Sequence, residues 1–179
     1  LIGNTTGSNT QTKYAPYSIY FDGSAGGIND PDSESYGFGT GDFTIDFWLY
    51  YTGGNGYAFF LNNNAGAGNY VGYGLNTGTI TPWIWNGGNV LVGSSNITAN
   101  TWQHHAIVRN AGALTIYLDG YSIGSTTWTV DLGQSRPFYI GHNSAFTQTT
   151  SGYIEDLRVT KGLARYTTNF TPPTSSLKG

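Results

Sequence analysis

Apolar and polar residues alternate with a period of two along almost the whole chain, and no stretch sustains the 3.6-residue period of an amphipathic helix. The alternation predicts strands over Tyr17–Phe21, Phe43–Tyr51, Tyr57–Leu61, Tyr70–Leu75, Thr79–Trp85, Val90–Gly93, Trp102–Arg109, Leu114–Leu118, Tyr121–Thr127, Phe138–Ile140 and Tyr153–Thr160. Turn residues separate them: Asp22-Gly23, Gly53–Gly56, Asn62–Asn64, Asn86–Asn89 and Asp119-Gly120. The last is the sharpest, because Asp and Gly both supply the positive φ that a two-residue hairpin turn needs. Many short strands at this spacing imply an antiparallel sandwich or barrel. In Phe43–Tyr51, Phe43, Ile45, Phe47 and Leu49 share one face, while Thr44, Asp46, Trp48 and Tyr50 share the other. In Trp102–Arg109, Trp102, His104, Ala106 and Val108 alternate with Gln103, His105, Ile107 and Arg109. The plainly apolar face of each strand is expected to meet the opposite sheet.

Composition narrows the picture. Charged residues are 9% of the 179, and seven Lys+Arg with a net charge of −3 are too few to neutralise a row of phosphates, which excludes nucleic acid as a partner. With no cysteine there is no disulfide framework, thiolate zinc site or cysteine nucleophile. The longest apolar runs fall far short of the ~20 residues of a membrane helix, so no membrane insertion is expected. The N-terminus lacks the charged, apolar, small-residue order of a signal peptide. It begins at Leu1, as a processed product or a piece of a longer protein would. Polarity carried by Asn, Thr, Ser, Gly and Tyr suits a β-rich extracellular or particle-surface protein.

The motifs, in order, resemble a known family. Tyr20-Phe21-Asp22-Gly23 and Gly39–Trp48 look like the opening strands of laminin-G-like, concanavalin A-like jelly-roll domains. Trp102-Gln103-His104 with Ala106–Arg109 resembles the central strand, Leu114–Gly120 its Leu-x-Leu-Tyr-x-Asp-Gly hairpin, and Gly152–Val159 its closing strand. Thr160–Tyr166 with Asn169–Pro173 is similar to the form found in bacteriophage tail and other virion proteins. The resemblance implies an all-β jelly-roll β-sandwich of two antiparallel sheets over residues 17–173, with an arm or linker at 1–16 and a tail at 174–179. A short helical turn is expected at Gly162–Tyr166.

The same fold hosts glycoside hydrolases, so paired carboxylates are the first chemistry to seek. Of the ten acids, Asp42 and Asp46 share parity, but Asp42 follows Gly41 as a turn residue. Asp30, Asp32 and Glu34 read as a solvated loop, and the Glu-x-Asp-x-x-Glu signature of the sandwich hydrolases is missing. No Gly-x-Ser-x-Gly elbow supports a serine triad, and His104 and His105 point to opposite sides of one strand. The resemblance makes His104 a structural residue. A non-enzyme is expected.

Two ligand classes remain. Relatives of this fold hold a structural Ca²⁺ between the end of the first strand and the closing strand, and Asp22 and Glu155 match those positions, with Glu155 standing where Asp is commoner. Glycans stack the C–H faces of their rings on flat aromatics, and Trp83 with Trp85, and Trp48 with Tyr50, share strand faces. Trp83 and Trp85 can form a platform if their strand turns its odd positions outward, and Pro82 places that strand at an edge or bulge. Asn- and Gly-rich loops such as Gly54–Tyr57, Asn62–Tyr70 and Asn86–Asn89 supply adaptable polar groups.

The expected function is a non-enzymatic, lectin-like adhesion module of a virion surface — phage tail fibre, appendage or capsid — that meets host glycans, other virion proteins or a second copy of the chain. The alternative is a secreted or cell-surface carbohydrate-binding module attached to a glycoside hydrolase or adhesin.

Overall fold

The computed structural model describes residues 1–24, 26–61, 71–75, 81–133, 136–143, 145 and 147–177. Strands β1 (Thr6–Ser8), β2 (Ser18–Asp22), β3 (Ile28–Ser33), β4 (Phe43–Gly54), β5 (Gly56–Leu61), β6 (Val71–Leu75) and β7 (Trp83–Trp85) are followed by β8 (Asn89–Val92), β9 (Trp102–Asn110), β10 (Ala113–Leu118), β11 (Tyr121–Thr127), β12 (Arg136–Ile140) and β13 (Thr150–Lys161). They form a seven-stranded sheet, β1-β2-β13-β4-β9-β10-β11, and a six-stranded sheet, β3-β12-β5-β6-β7-β8. Every ladder between these strands is antiparallel. This is the expected jelly-roll sandwich.

Each predicted strand is present, Tyr121–Thr127 with its ends unchanged and the others with shifted ends, and two strands escaped the pattern. Thr6-Gly7-Ser8 has no apolar alternation, yet as β1 it pairs with β2, so the expected arm adds an edge to the sheet. Ile28–Ser33 contains Pro31 and two aspartates and reads as a loop, which is what an edge strand tolerates; Asp30 and Asp32 therefore lie in β3, and Glu34 opens a 3-10 turn, Glu34–Tyr36. The helical turn expected at Gly162–Tyr166 is absent. That segment is irregular chain tied to β4: the Thr44 hydroxyl donates to the Leu163 carbonyl at 3.0 Å and accepts from the Arg165 amide at 2.9 Å.

Phe43, Ile45, Phe47 and Leu49 of β4 turn inward as the alternation predicts, packing with Tyr73, Leu75, Ile84 and Phe138 of the opposite sheet. In β9 the inward set is His105, Ile107 and Arg109, contrary to the apolar-face expectation. Register decides this: Ile107 lies opposite both Ile45 and Ile116, so it must share their face. Most of the polar cost is met locally. The Tyr73 hydroxyl and His105 Nδ1 share a hydrogen bond of 2.6 Å, while His105 Nε2 stays buried without a partner among the described residues. The buried Arg109 guanidinium donates to the carbonyls of Gly41, Gly39, Val130 and Phe38 and lies 5.0 Å from the Phe43 ring. The outward residues Ala106 and Val108 then join Tyr117 in a second small core, covered by Ala164, Tyr166 and Phe170 of the C-terminal tail. At the β10–β11 hairpin, Asp119 and Gly120 both take positive φ, 50° and 83°. A side chain on Gly120 would also strike the carbonyl of Phe170. The turn thus needs glycine twice over.

Candidate functional site

Ile84 of β7 is fully buried, so Trp83 and Trp85 on either side of it turn outward, half-buried, with ring centroids 5.8 Å apart and nearly perpendicular. Tyr57 of β5 meets Trp83 edge-on at 5.1 Å. Beneath them β6 supplies glycine: Gly74 pairs with Trp83 and Gly72 with Trp85. A Cβ on Gly74 would run into the Trp83 indole, so the ring lies flat on bare backbone. The odd positions thus face outward as the sequence suggests; β7 is not an edge strand, because β8 pairs along its other side, but the pairing carries a register shift between Ile84 and Trp85. Pro82 precedes the strand, and its carbonyl accepts the Gly93 amide at 2.8 Å. Of the loops expected beside this platform, Gly54–Tyr57 is the tight β4–β5 connection, Asn86–Asn89 closes the β7–β8 turn, and Asn62–Tyr70, like Thr79 and Ile80, lies outside the described residues.

The other predicted pair divides. Trp48 is 5% exposed: the Lys13 ammonium lies 4.3 Å from its ring, and Tyr14 and His104 meet it edge-on. It is a packing residue under the N-terminal arm, which corrects its assignment as a ligand contact. Tyr50, two residues along the same face, stays half-exposed between Trp102 and Tyr153, at 5.7 and 5.9 Å.

Asp22 and Glu155 do not converge. Asp22 lies opposite Ser151, and Glu155 is four residues further along β13, about 13 Å at the strand rise. Glu155 is buried and its two oxygens accept the backbone amides of Lys13, Tyr14 and Ala15 at 2.6–2.7 Å. Asp22 is occupied by Ser24 and Asn4, whose hydrogen bonds hold its carboxyl below the usual range. This donor set does not fit one calcium ion: the first carboxylate caps a turn, and the second fastens the arm. Among the described residues no three His, Asp or Glu side chains cluster as metal ligands.

Two-residue alternation does not point to the polar cluster beneath the tail. Asp46, fully buried on the outward face of β4, accepts Arg158 Nε and Nη2 at 3.0 and 2.7 Å and the Tyr166 hydroxyl at 3.0 Å, and His104 Nε2 lies 3.4 Å away. Burial alone would raise the Asp46 pKa, but these contacts outweigh it and hold the carboxyl below its ordinary value. Burial first, and then the Asp46 charge, push Tyr166 up to about 12. Geometrically His104 is a packing residue, its ring edge-on to Trp48, Tyr166 and Phe170. The available signal was Tyr166 and Phe170, whose rings stack 3.6 Å apart.

A family model described as the concanavalin A-like lectin/glucanases superfamily matches residues 18–164. No curated protein sequence matches at a significant level. Among solved structures, the chain is similar to domain 4 of AbnA, a GH43 extracellular arabinanase from Geobacillus stearothermophilus in complex with arabinotriose, with a TM-score of 0.68 and 19% identity, over 90% of this chain and 77% of that one. It is also similar to domains LG4-5 of the mouse laminin alpha1 chain, with a TM-score of 0.63 and 17% identity, over 79% of this chain and 40% of that one. Trypanosoma rangeli sialidase gives 0.59 at 18% identity, over 82% of this chain and 25% of the sialidase. At these identities the likeness is one of fold.

Proposed function

The chain belongs to the concanavalin A-like lectin/glucanases superfamily, and on that premise we propose that it is a non-catalytic, lectin-like module of a virion surface that binds host glycans through Trp83 and Trp85. One observation carries the reading: Trp83 and Trp85 stand half-exposed on the outer face of the six-stranded sheet, with Trp83 lying on the bare backbone of Gly74 and met edge-on by the buried Tyr57. Flat rings of this kind take the apolar face of a sugar while nearby polar groups take its hydroxyls. The absence of catalysis is supported by where the buried carboxylates are spent. Asp46 is bound to Arg158 and Tyr166 and Glu155 to three backbone amides, so neither is poised for acid–base work. Placement on a virion rests on the likeness of residues 160–173 to phage tail proteins.

A glycan array probed with the intact chain and with Trp83→Ala/Trp85→Ala tests this, with circular dichroism confirming that the variant folds. We expect defined glycans to bind the native chain and at least about tenfold weaker binding by the variant, as the loss of two stacked rings implies. A folded variant with unchanged binding overturns the assignment.

The second reading is a carbohydrate-binding module beside a glycoside hydrolase. It is favoured by the similarity to the arabinanase domain, whose complex holds arabinotriose. Selective binding of arabino-oligosaccharides over host-surface glycans on the same array would decide for it.

A further inference from the structure

We propose that a second glycan-binding face lies on the seven-stranded sheet, where Tyr20, Tyr153, Tyr50 and Trp102 form an unbroken row that takes an extended, uncharged oligosaccharide across the strands. The row is built by register. Tyr153 of β13 lies opposite Tyr20 of β2 on one side and Tyr50 of β4 on the other, and Tyr50 lies opposite Trp102 of β9. Successive ring centroids are 4.9, 5.9 and 5.7 Å apart, and all four side chains are half-exposed. Three strand spacings make a row of about 14 Å, room for three to four sugar rings of an extended chain.

Along β13, β4 and β9 the neighbouring positions of that outer face are covered. One register step along, Glu155, Trp48 and His104 lie beneath the arm and Phe170; further on, Asp46 and Ala106 lie beneath Tyr166. On the row's other side stand the hydroxyls of Thr52 and Ser151, bonded to each other at 2.9 Å. The row is therefore a bare aromatic strip between a covered surface and a polar border.

Its hydroxyls point to a ligand rich in hydroxyls. Tyr14, Tyr36, Tyr51, Tyr73, Tyr117 and Tyr166 all spend their phenol groups on protein partners. Among the described residues the phenols of Tyr20, Tyr50 and Tyr153 have none, while the indole N–H of Trp102 is buried and that residue offers only its ring. Ring faces for C–H stacking, with donors and acceptors left at their edges, match a neutral sugar chain. The cations close to this face are already engaged: Lys13 sits over the Trp48 ring at 4.3 Å, Arg158 is bound to Asp46, and Arg109 is inside the core.

This inference shares only its ligand class with the Trp83–Trp85 reading. Isothermal titration of the full chain with neutral arabino-, xylo- and cello-oligosaccharides of two to six rings tests it. In the Trp83→Ala/Trp85→Ala background we expect affinity to rise with length up to about four rings and then level. Adding Tyr50→Ala/Tyr153→Ala should weaken the longest ligands at least about tenfold. Tyr20→Phe/Tyr50→Phe/Tyr153→Phe, which keeps the rings and guards against misfolding, should cost a smaller factor. Affinity independent of length, unchanged affinity in both tyrosine variants, or no binding by any sugar overturns the proposal. So does self-association of the native chain that these variants abolish, which would make the row a contact between copies. Loss of all binding in Trp83→Ala/Trp85→Ala alone leaves the first site standing and removes this one.

Discussion

His105 shows how one buried residue sets a pH dependence. It lies between the sheets, stacked on Phe47 at 5.4 Å, with the Tyr73 hydroxyl as its hydrogen-bond partner. Burial, and then neighbouring His104, push its pKa from 6.5 down to about 3. The folded state therefore keeps the ring neutral where the unfolded chain binds a proton. Stability is complete above pH 6.5 and falls toward pH 3, by up to about 1.4 kcal/mol per pH unit. Urea unfolding at pH 7, 5 and 4 should show this decline, and His105→Gln should flatten it by about one proton; equal slopes in the two proteins would refute the assignment. The sequence placed His104 and His105 on opposite faces of a strand, which two-residue periodicity guarantees. Which of the two went inside depended on Ile107 facing Ile45 and Ile116, and pairing register is not written in β9 alone.

At the scale of elements, the closing strand is where local pattern stops being informative. Between Glu155 and Arg158, β13 carries one residue more than β4 opposite it, and Asp156 takes a φ of 53°. That bulge puts Glu155 and Arg158, which strict alternation would send to opposite faces, on the same outward face. One holds the arm; the other, with Asp46, holds the tail. Asp156 itself accepts from Ser176 and Leu177. Asp46→Asn leaves Arg158 half-buried without its carboxylate and should cost about 3 kcal/mol, the low end for breaking such a pair. Urea midpoints and protease cleavage within 162–177 check this, and an unchanged midpoint with unchanged cleavage would contradict it. Strands with period-two runs were legible to within a few residues at their ends. The covering of one sheet by both chain ends was not, because irregular chain has no period to read.

For the whole molecule, the order of motifs was enough to read the sandwich, while the sites depended on which strands became neighbours. Trp83 and Trp85 were found because one strand suffices to align them. The row from Tyr20 to Trp102 draws on four strands, and the calcium pair failed because matching positions in two neighbouring strands lay four residues out of step. With Asp22 and Glu155 engaged elsewhere, chelation should leave the melting temperature unchanged; a drop of several degrees, restored by added calcium, would reveal an oxygen-ligand site built from other groups.

The strand order has a further consequence, for crowding. With 9% charged residues, copies displayed densely get little help from mutual repulsion, and exposed sheet edges are where such proteins fuse. Here each edge is blunted by its own means. β1 has three residues, β3 contains a proline that cannot donate to a neighbour, and β11 exposes serine and threonine. β8, the most apolar edge, turns directly into the Gly93–Ser94 link, where the Ser94 amide donates to the Ile123 carbonyl of β11 and joins the borders of the two sheets. Resistance to edge-to-edge aggregation is thus built into the backbone, leaving the two aromatic faces free to remain uncharged.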